Sequence, residues 1–462
     1  MMENTHLFGP LFHGTEVTRI FSSERQLDEM VNVEIALAHA LETAGVAPNG
    51  TGIACEQGAQ GFVTTDTAQA IAQAAALSGN LAIPFVKLLT DHVRTRAGDA
   101  ADFIHYGATS QDLLDTALVL RLHEFLALTT IQIQRACDLL VHIIHQHRTT
   151  LLPGRTWLQQ GPPITFSLKA AQWLSALLRH QQRLTAAHDR VCVLQFGGAV
   201  GTLASLGEHG HAVTTALAQR LSLRVPGTPW HSQRDSLAEL ATVLALIDGT
   251  LGKIARDLSL MLQNEVGEIR IDTAEGTGGS STMPHKLNPV SLAVILAAAV
   301  RAPALASTML SAMVQEHERS LGGWHAEWDT LPELCCLTSG ALTNFLYAIE
   351  HLHIDPEAMR RNLDLLQGVT LAESVSMRLG ESIGRPAAHR ILQAASAQAL
   401  KRGVSLLDVL RDDPRVTQHL SPADLEQALH PASYLGSTNV FIDRVLAQAS
   451  HTPSAEAHHA LR

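Results

Sequence analysis

Residues 235–269 read DSLAELATVLALIDGTLGKIARDLSLMLQNEVGEI. Leu237, Leu240, Ala241, Leu244, Ile247, Leu251, Ile254, Ala255 and Leu258 recur at the three- and four-residue intervals of a helix, with no proline among them. A stripe of this length cannot be covered by a loop and calls for other helices with stripes of their own. Gln111 to Arg148, Ile164 to Phe196 and Pro289 to Val314 supply them, each reading as a helix or nearly one. Strand-like alternation between turn signals is almost absent. The spacing therefore predicts an all-α protein whose long helices bury their stripes against one another in a bundle. The ends are marked as well. Gly197-Gly198 follows one helix, and Asn288-Pro289 opens another with a capping residue and a proline in the first turn.

Outward from these helices the chain divides into three. A helical segment occupies residues 1–104, the bundle 105–352, and a shorter helical segment 353–462, entered through His353-Ile-Asp-Pro356. A chain of 462 residues exceeds what one simple core serves. Aromatic residues are only 4% of it, so Leu, Ala, Val and Ile must build the core. The net charge of −11 argues against a nucleic-acid partner but leaves room for an anionic ligand in a cleft lined by a few Arg and Lys. Met1 to Pro10 lacks the pattern of a secretory signal. The most apolar run, Ser291 to Leu310, is interrupted by Arg301 and Pro303 and reads as a buried core helix rather than a membrane span. Five cysteines without CxxC spacing fit a reducing cytoplasm.

One segment does not fit a helix. Asp272 to Asn288 lies between two long helices, yet it holds Gly276, Gly278 and Gly279, small hydroxyl residues, a histidine and a lysine. It is longer than most helix–helix connections, and long ordered loops are often lids. It also delivers its polar residues just ahead of a helix N-terminus, where backbone potential favours anions.

Gly279-Ser-Ser-Thr-Met-Pro-His-Lys-Leu-Asn-Pro289 resembles the GSSxMPxKxNP signature of the fumarase/aspartase superfamily. His105-Tyr-Gly-Ala-Thr-Ser-Gln-Asp112 and Gly154-Arg-Thr-Trp-Leu-Gln-Gln160 resemble that superfamily's other two shared stretches, in the expected order. The resemblance covers essentially the whole chain. It implies three helical domains, a central five-helix bundle, and a homotetramer with a twenty-helix core whose active sites draw on three subunits. Gln195 to Gly201, Pro229 to Asp235 and Gln315 to Trp328 are most similar to a cycloisomerase branch that closes a lactone ring on a small tricarboxylate in aromatic catabolism. That branch implies no cofactor, no metal and no membrane partner.

By motif position Ser280 is the family's base, returning a proton to carbon in the lactone-forming direction, while Lys286 and Asn288 bind the carboxylate and the aci-carboxylate. A free serine hydroxyl is a poor base and needs a donor-rich pocket of low dielectric. Ser281 and Met283 accompany them in the loop, and Thr156 and Gln160 flank Trp157 in the second stretch. Asn288 also suits a plain N-cap. Thr109 and Ser110 suit either a cap, since Thr109-x-x-Asp112 is a capping pattern, or a carboxylate site with His105. Arg319 and Arg234 offer bidentate cations for a tricarboxylate, or salt bridges, the latter reading being the stronger for Arg234. Trp324 and Trp328 read as packing residues.

Trp157 departs from much of the superfamily, where a histidine assists the leaving group. Hydroxide and amines need that proton. A carboxylate, with a conjugate acid of pKa roughly 4, does not. Trp157 therefore points toward lactonisation and away from a C–N lyase of the adenylosuccinate type. A non-catalytic scaffold that kept the fold is the remaining alternative, and intact Ser280, Lys286 and Asn288 speak against it. His142, His145 and His147 hold no metal-ligand spacing with an acidic or cysteine partner and read as a solvated helix face.

Overall fold

The computed structural model describes residues 7–272, 278–279, 283 and 286–451. The chain is all-α, as its periodicity predicts. The longest helices run Ser110–Gln146, Phe166–Val191, Asp235–Met261, Val290–Ala312 and Gly323–Glu350. The expected Ile164 to Phe196 and Asp235 to Ile269 helices are shorter than their apolar patterns. Thr165 closes a strand before the first, and Ile269–Ile271 is itself a strand after the second.

Four short strands among the described residues form two antiparallel pairs. Strand β1 (Leu151–Thr156) pairs with β2 (Gln159–Thr165), and β3 (Ile269–Ile271) pairs with β4 (Leu352–Ile354). The chain divides into two compact units. One comprises Met1–Ile133, His180–Gly252 and Val294–Asn344; the other comprises Gln134–Arg179, Lys253–Ala293 and Phe345–Arg462. In the first, Leu113, Ala117, Leu244, Ile247, Leu251, Ala298, Leu337 and Ala341 are fully buried. In the second, Val375, Leu379, Leu392, Leu406, Leu410, Val416 and Leu425 close a further small core in the C-terminal helices.

The Val290–Ala312 helix is long and apolar enough to cross a bilayer by length and composition, and only 39% of its most apolar window is buried within the chain. Val300 and Leu310 stand exposed on it. The expectation of a core helix thus holds for one face alone, since Leu292, Ile295, Ala298 and Ala302 are buried. All five cysteines are buried and unpaired.

Asp248 lies inside the first unit with no exposed surface, accepting one hydrogen bond from the Thr338 hydroxyl at 2.8 Å. Burial pushes its carboxyl up to about 7, against a smaller downward pull from Thr338. Because the folded-state value lies above the unfolded one, this group favours folding most at low pH. Its contribution falls as pH rises from the ordinary carboxylate range through about 7. At pH 8 the cost is on the order of 4 kcal/mol at most, of which an isosteric amide recovers about 1–3. Asp248→Asn is expected to raise the melting temperature by several degrees at pH 8 and to change it little at pH 4. Calorimetry at the two pH values checks this, and an equal shift at both would remove ionisation as its cause.

Candidate active site

In the first unit the His105–Asp112 stretch is held from two sides. His105 takes left-handed backbone angles, with φ of 59°. Its backbone N–H donates to Glu34 Oε2 at 2.7 Å, and its Nδ1 lies 2.6 Å from Glu34 Oε1. Thr109 caps the Ser110–Gln146 helix, and its backbone N–H donates to Asp112 Oδ2 at 3.0 Å, the return half of a capping box. Asp112 does more than cap. The same carboxylate accepts from Gln195 Nε2, from the backbone N–H groups of Gly197 and Gly198, and from His231 Nε2 at 2.7 Å. It thereby ties the Gln195 to Gly201 turn and the Pro229 to Asp235 run to the helix start. Arg319 joins the same turn, donating from Nη2 to the Ala199 carbonyl at 2.9 Å.

Arg234 is almost completely buried. It donates to Asp115 at 2.6 and 3.1 Å and to Glu327 at 2.5 and 3.1 Å, with Trp230 stacked 4.9 Å away. Burial opposes its charge, but the two carboxylates outweigh burial and raise its pKa above the ordinary value. Each of the three guanidinium nitrogens donates to one or both of these buried carboxylates. The salt-bridge reading of Arg234 therefore describes its geometry, and its guanidinium is not presented to a ligand. Trp324 also packs here, its Nε1 donating to Asp115 at 3.1 Å.

In the second unit, Thr156, Trp157 and Gln160 belong to the β1–β2 hairpin, with Thr156 opposite Gln159. Trp157 and Leu158 alone form its turn, at φ of 52° and 63°. Two positive φ values define a type I′ turn, a position normally filled by Asn and Gly. Side chains with a Cβ cost roughly 1–2 kcal/mol each in that conformation. Trp157 is 97% and Leu158 76% exposed, so the strain presents two large apolar side chains outward. The hairpin is braced from behind. Arg155 forms a two-point ion pair with buried Glu268, at 2.9 and 2.5 Å. Asn362 donates to Glu268 at 2.9 Å, and Gln160 Nε2 donates to the Asn362 carbonyl at 2.9 Å. Gln160 Oε1 is buried without a hydrogen-bond partner among the described residues.

The 272–288 loop leaves β3 at Asp272, whose N–H donates to the His351 carbonyl and whose carboxylate accepts from Arg270 and His353. Those two donors, Arg270 first, hold the Asp272 carboxyl below its usual range. The neck closes where the Asn288 N–H donates to the Gly278 carbonyl at 2.7 Å and Gly279 bridges Leu287. Gly278 has φ of 71°, and a Cβ there would sit 2.6 Å from the Asn288 carbonyl oxygen. Lys286 and Met283 are exposed, with the Lys286 N–H donating to the Met283 carbonyl. The Pro289 carbonyl accepts the first helical bond, from Ala293, so the cap falls at Pro289, one residue past the expected Asn288. Ser280 and Ser281 lie outside the described residues.

Among the described residues no group of three or more His, Cys, Asp or Glu side chains is placed to hold a metal ion. His142 and His145 lie on an exposed helix face, and His147 sits 3.1 Å from the Thr150 hydroxyl. Sequence reasoning did not single out Glu34, Gln195, His231 or Glu268. Each acts on a residue far away in the chain, and no local spacing marks it.

The all-α fold carries, in one chain, the three stretches that resemble an enzyme of the lyase type. Known proteins give the family. Residues 14–303 match the family described as Lyase, and residues 368–445 match Adenylosuccinate lyase C-terminus. The chain is 47% identical to a 3-carboxy-cis,cis-muconate cycloisomerase of Pseudomonas aeruginosa, over 98% of this chain and 97% of that one. It is 44% identical to the Acinetobacter baylyi protein of the same name, over 96% and 99% of the two chains. A crystal structure of 3-carboxy-cis,cis-muconate lactonizing enzyme from Pseudomonas putida superposes with a TM-score of 0.91 at 46% identity, covering 96% of this chain and 99% of that one. The chain belongs to this lyase family.

Proposed function

We propose that the chain is a cycloisomerase that closes 3-carboxy-cis,cis-muconate to 4-carboxymuconolactone, without a cofactor, in cytoplasmic aromatic catabolism. The observation that carries this reading is near-complete alignment at 44–47% identity with relatives bearing that name. One substrate carboxylate adds across the conjugated diene, and the electrons displaced onto the neighbouring carbon are held by its carboxyl group as an aci-carboxylate. Ser280 delivers the proton to that carbon. Lys286 and Asn288 hold the developing double negative charge, where fixed donors act most strongly. His105, Thr109, Ser110, Thr156, Gln160, Ser281, Met283 and Arg319 contribute carboxylate contacts and walls. Arg234 acts from behind by fixing Asp115 and Glu327. In the reverse direction the leaving group is a carboxylate, so Trp157 need supply no proton.

The functional unit in this reading is a homotetramer with shared active sites. Val300 is 79% and Leu310 50% exposed on one helix, and Val314 just past its end is 85% exposed, an apolar surface that calls for a partner. The strained, exposed Trp157-Leu158 turn supports the same reading, since stored backbone strain clusters at functional contacts. A C–N lyase of the adenylosuccinate type is the second reading, favoured by the C-terminal family match. It requires an acid for the amine, which Trp157 cannot be.

The test follows the ultraviolet absorbance of 3-carboxy-cis,cis-muconate with purified protein. Ring closure breaks the conjugated diene, so absorbance is expected to fall rapidly. An unchanged diene beside a folded, tetrameric protein would reject this substrate. Adenylosuccinate would then be assayed for the second reading, and argininosuccinate beside it.

A further inference from the structure

Glu34 sits in the Ser23–Thr43 helix at 1% side-chain exposure, and both of its oxygens are directed at one residue, His105. Oε2 takes the backbone N–H at 2.7 Å and Oε1 meets Nδ1 at 2.6 Å. A lone backbone N–H at a tight turn needs only one neutral acceptor. Placing a carboxylate there buries a charged group, which is costly unless it is paired. The second oxygen shows what the charge is paired with. We propose that Glu34 is a positioning residue of the active site, fixing His105 in the Nδ1–H form so that its Nε2 grips a substrate carboxylate only when the ring is protonated. This rests on the reading of the chain as acting on a tricarboxylate.

An ionised carboxylate only accepts, so the proton must stay on Nδ1. A neutral ring then offers a lone pair at Nε2, which repels an incoming carboxylate. A protonated ring offers an N–H and a positive charge, a combination worth roughly twice a neutral hydrogen bond. His105 is partly exposed, at 18%, in the same segment as Thr109 and Ser110.

Among the described residues two further titratable groups face this pair, Asp112 on Ser110–Gln146 and Cys55 on Thr51–Ala59. Burial alone would lower the His105 pKa. Glu34, through charge and hydrogen bond, with a smaller push from Asp112, outweighs burial and raises it above the ordinary value. Cys55 is pushed up to about 11 and stays neutral. The gripping form of His105 therefore persists further toward neutral pH than that of a free imidazole.

Glu34→Gln tests the arrangement because it keeps the shape and inverts the chemistry. The backbone N–H still requires an oxygen, so the amide oxygen turns toward it and the NH2 faces Nδ1. The neutral ring must then carry its proton on Nε2 and donates to a carboxylate without being charged. Binding of tricarballylate, a saturated tricarboxylate, would be followed by calorimetry from pH 6 to 9. Wild type is expected to weaken by about 10-fold or more as His105 loses its proton. Glu34→Gln is expected to bind ~10-fold more weakly at pH 6 and to show an almost flat profile, with turnover losing KM rather than kcat. Glu34→Asp, which keeps the charge, should retain the slope. His105→Asn, whose side chain tolerates left-handed backbone angles, should remove the slope in an otherwise intact site.

A wild-type slope persisting in Glu34→Gln, with only the melting temperature lowered, would make Glu34 a structural brace and overturn the proposal. Should Glu34→Gln not fold, a slope surviving in His105→Asn overturns it equally. Wild type that turns over the muconate yet binds tricarballylate with a flat profile overturns this inference alone. Wild type that neither binds nor turns over overturns it together with the proposed function.

Discussion

Methionine in place of Arg234 is expected to lower stability by about 3–5 kcal/mol, a large share of what a folded protein has. The side chain is only 1% exposed and lies between Asp115 and Glu327, themselves 2% and 1% exposed. Removing the guanidinium leaves both carboxylates without their cation, beside Trp324 and Gln111, neither of which carries charge. Burial already raises the Glu327 pKa even with Arg234 present. Without it the Glu327 carboxyl loses the cation that opposes this rise, so its protonation favours the folded variant. Stability lost at pH 7 should therefore return in part on acidification toward pH 5. Urea unfolding at the two pH values checks this, and replacing Asp115 by Asn and Glu327 by Gln in the same chain should recover a further part. A midpoint within ~1 kcal/mol of wild type at pH 7 would mean that the three charges are not coupled as their geometry requires. The Pro229 to Asp235 run would loosen with Arg234, and with it the turn that Arg319 and Asp112 hold.

The helices were legible because their signal is local and repeated. Four of the five longest appear in the apolar spacing alone, and only their ends differ. The β1–β2 hairpin was not. Pro153, Gly154, Gly161, Pro162 and Pro163 interrupt any alternation, and a Trp-Leu pair is not a turn signal. Its register comes instead from tertiary bonds to Glu268 and Asn362. The site divides the same way. Lys286 and Asn288 could be read because they stand in one unbroken motif. Glu34 and His105 are 71 residues apart, Asp112 and His231 119 apart, and Arg155 and Glu268 113 apart. No spacing rule reaches across such distances. Thr109-x-x-Asp112 shows how a local rule finds a residue but not its whole work. The pattern predicts a cap, and the same carboxylate also gathers two glycine N–H groups, a glutamine and a histidine.

Ser280→Ala is expected to slow ring closure by at least ~100-fold while leaving substrate binding within a few-fold of wild type, the usual penalty for losing a positioned proton donor. Ser280 stands in the same unbroken motif as Lys286 and Asn288. Gly278 must keep its positive φ for the Asn288 N–H to reach its carbonyl and close the neck. Lys286 and Asn288 lie at one end of it, and in the proposed mechanism they share one short stretch of sequence with the Ser280 hydroxyl. In the proposed ring closure the Ser280 hydroxyl gives its proton to carbon and is left as an alkoxide. It is replenished from solvent, which makes the new C–H bond a reporter of the donor. In deuterium oxide the lactone should carry one deuterium from wild type. The residual product of Ser280→Ala should form slowly and with its stereochemistry at that carbon degraded, because water would deliver the proton from either face. Absorbance gives the rate, and nuclear magnetic resonance of the product gives the label. A variant that closes the ring at the wild-type rate would take the proton transfer away from Ser280. Unchanged stereochemistry at a reduced rate would assign the transfer to a second fixed donor, leaving Ser280 to orient the substrate.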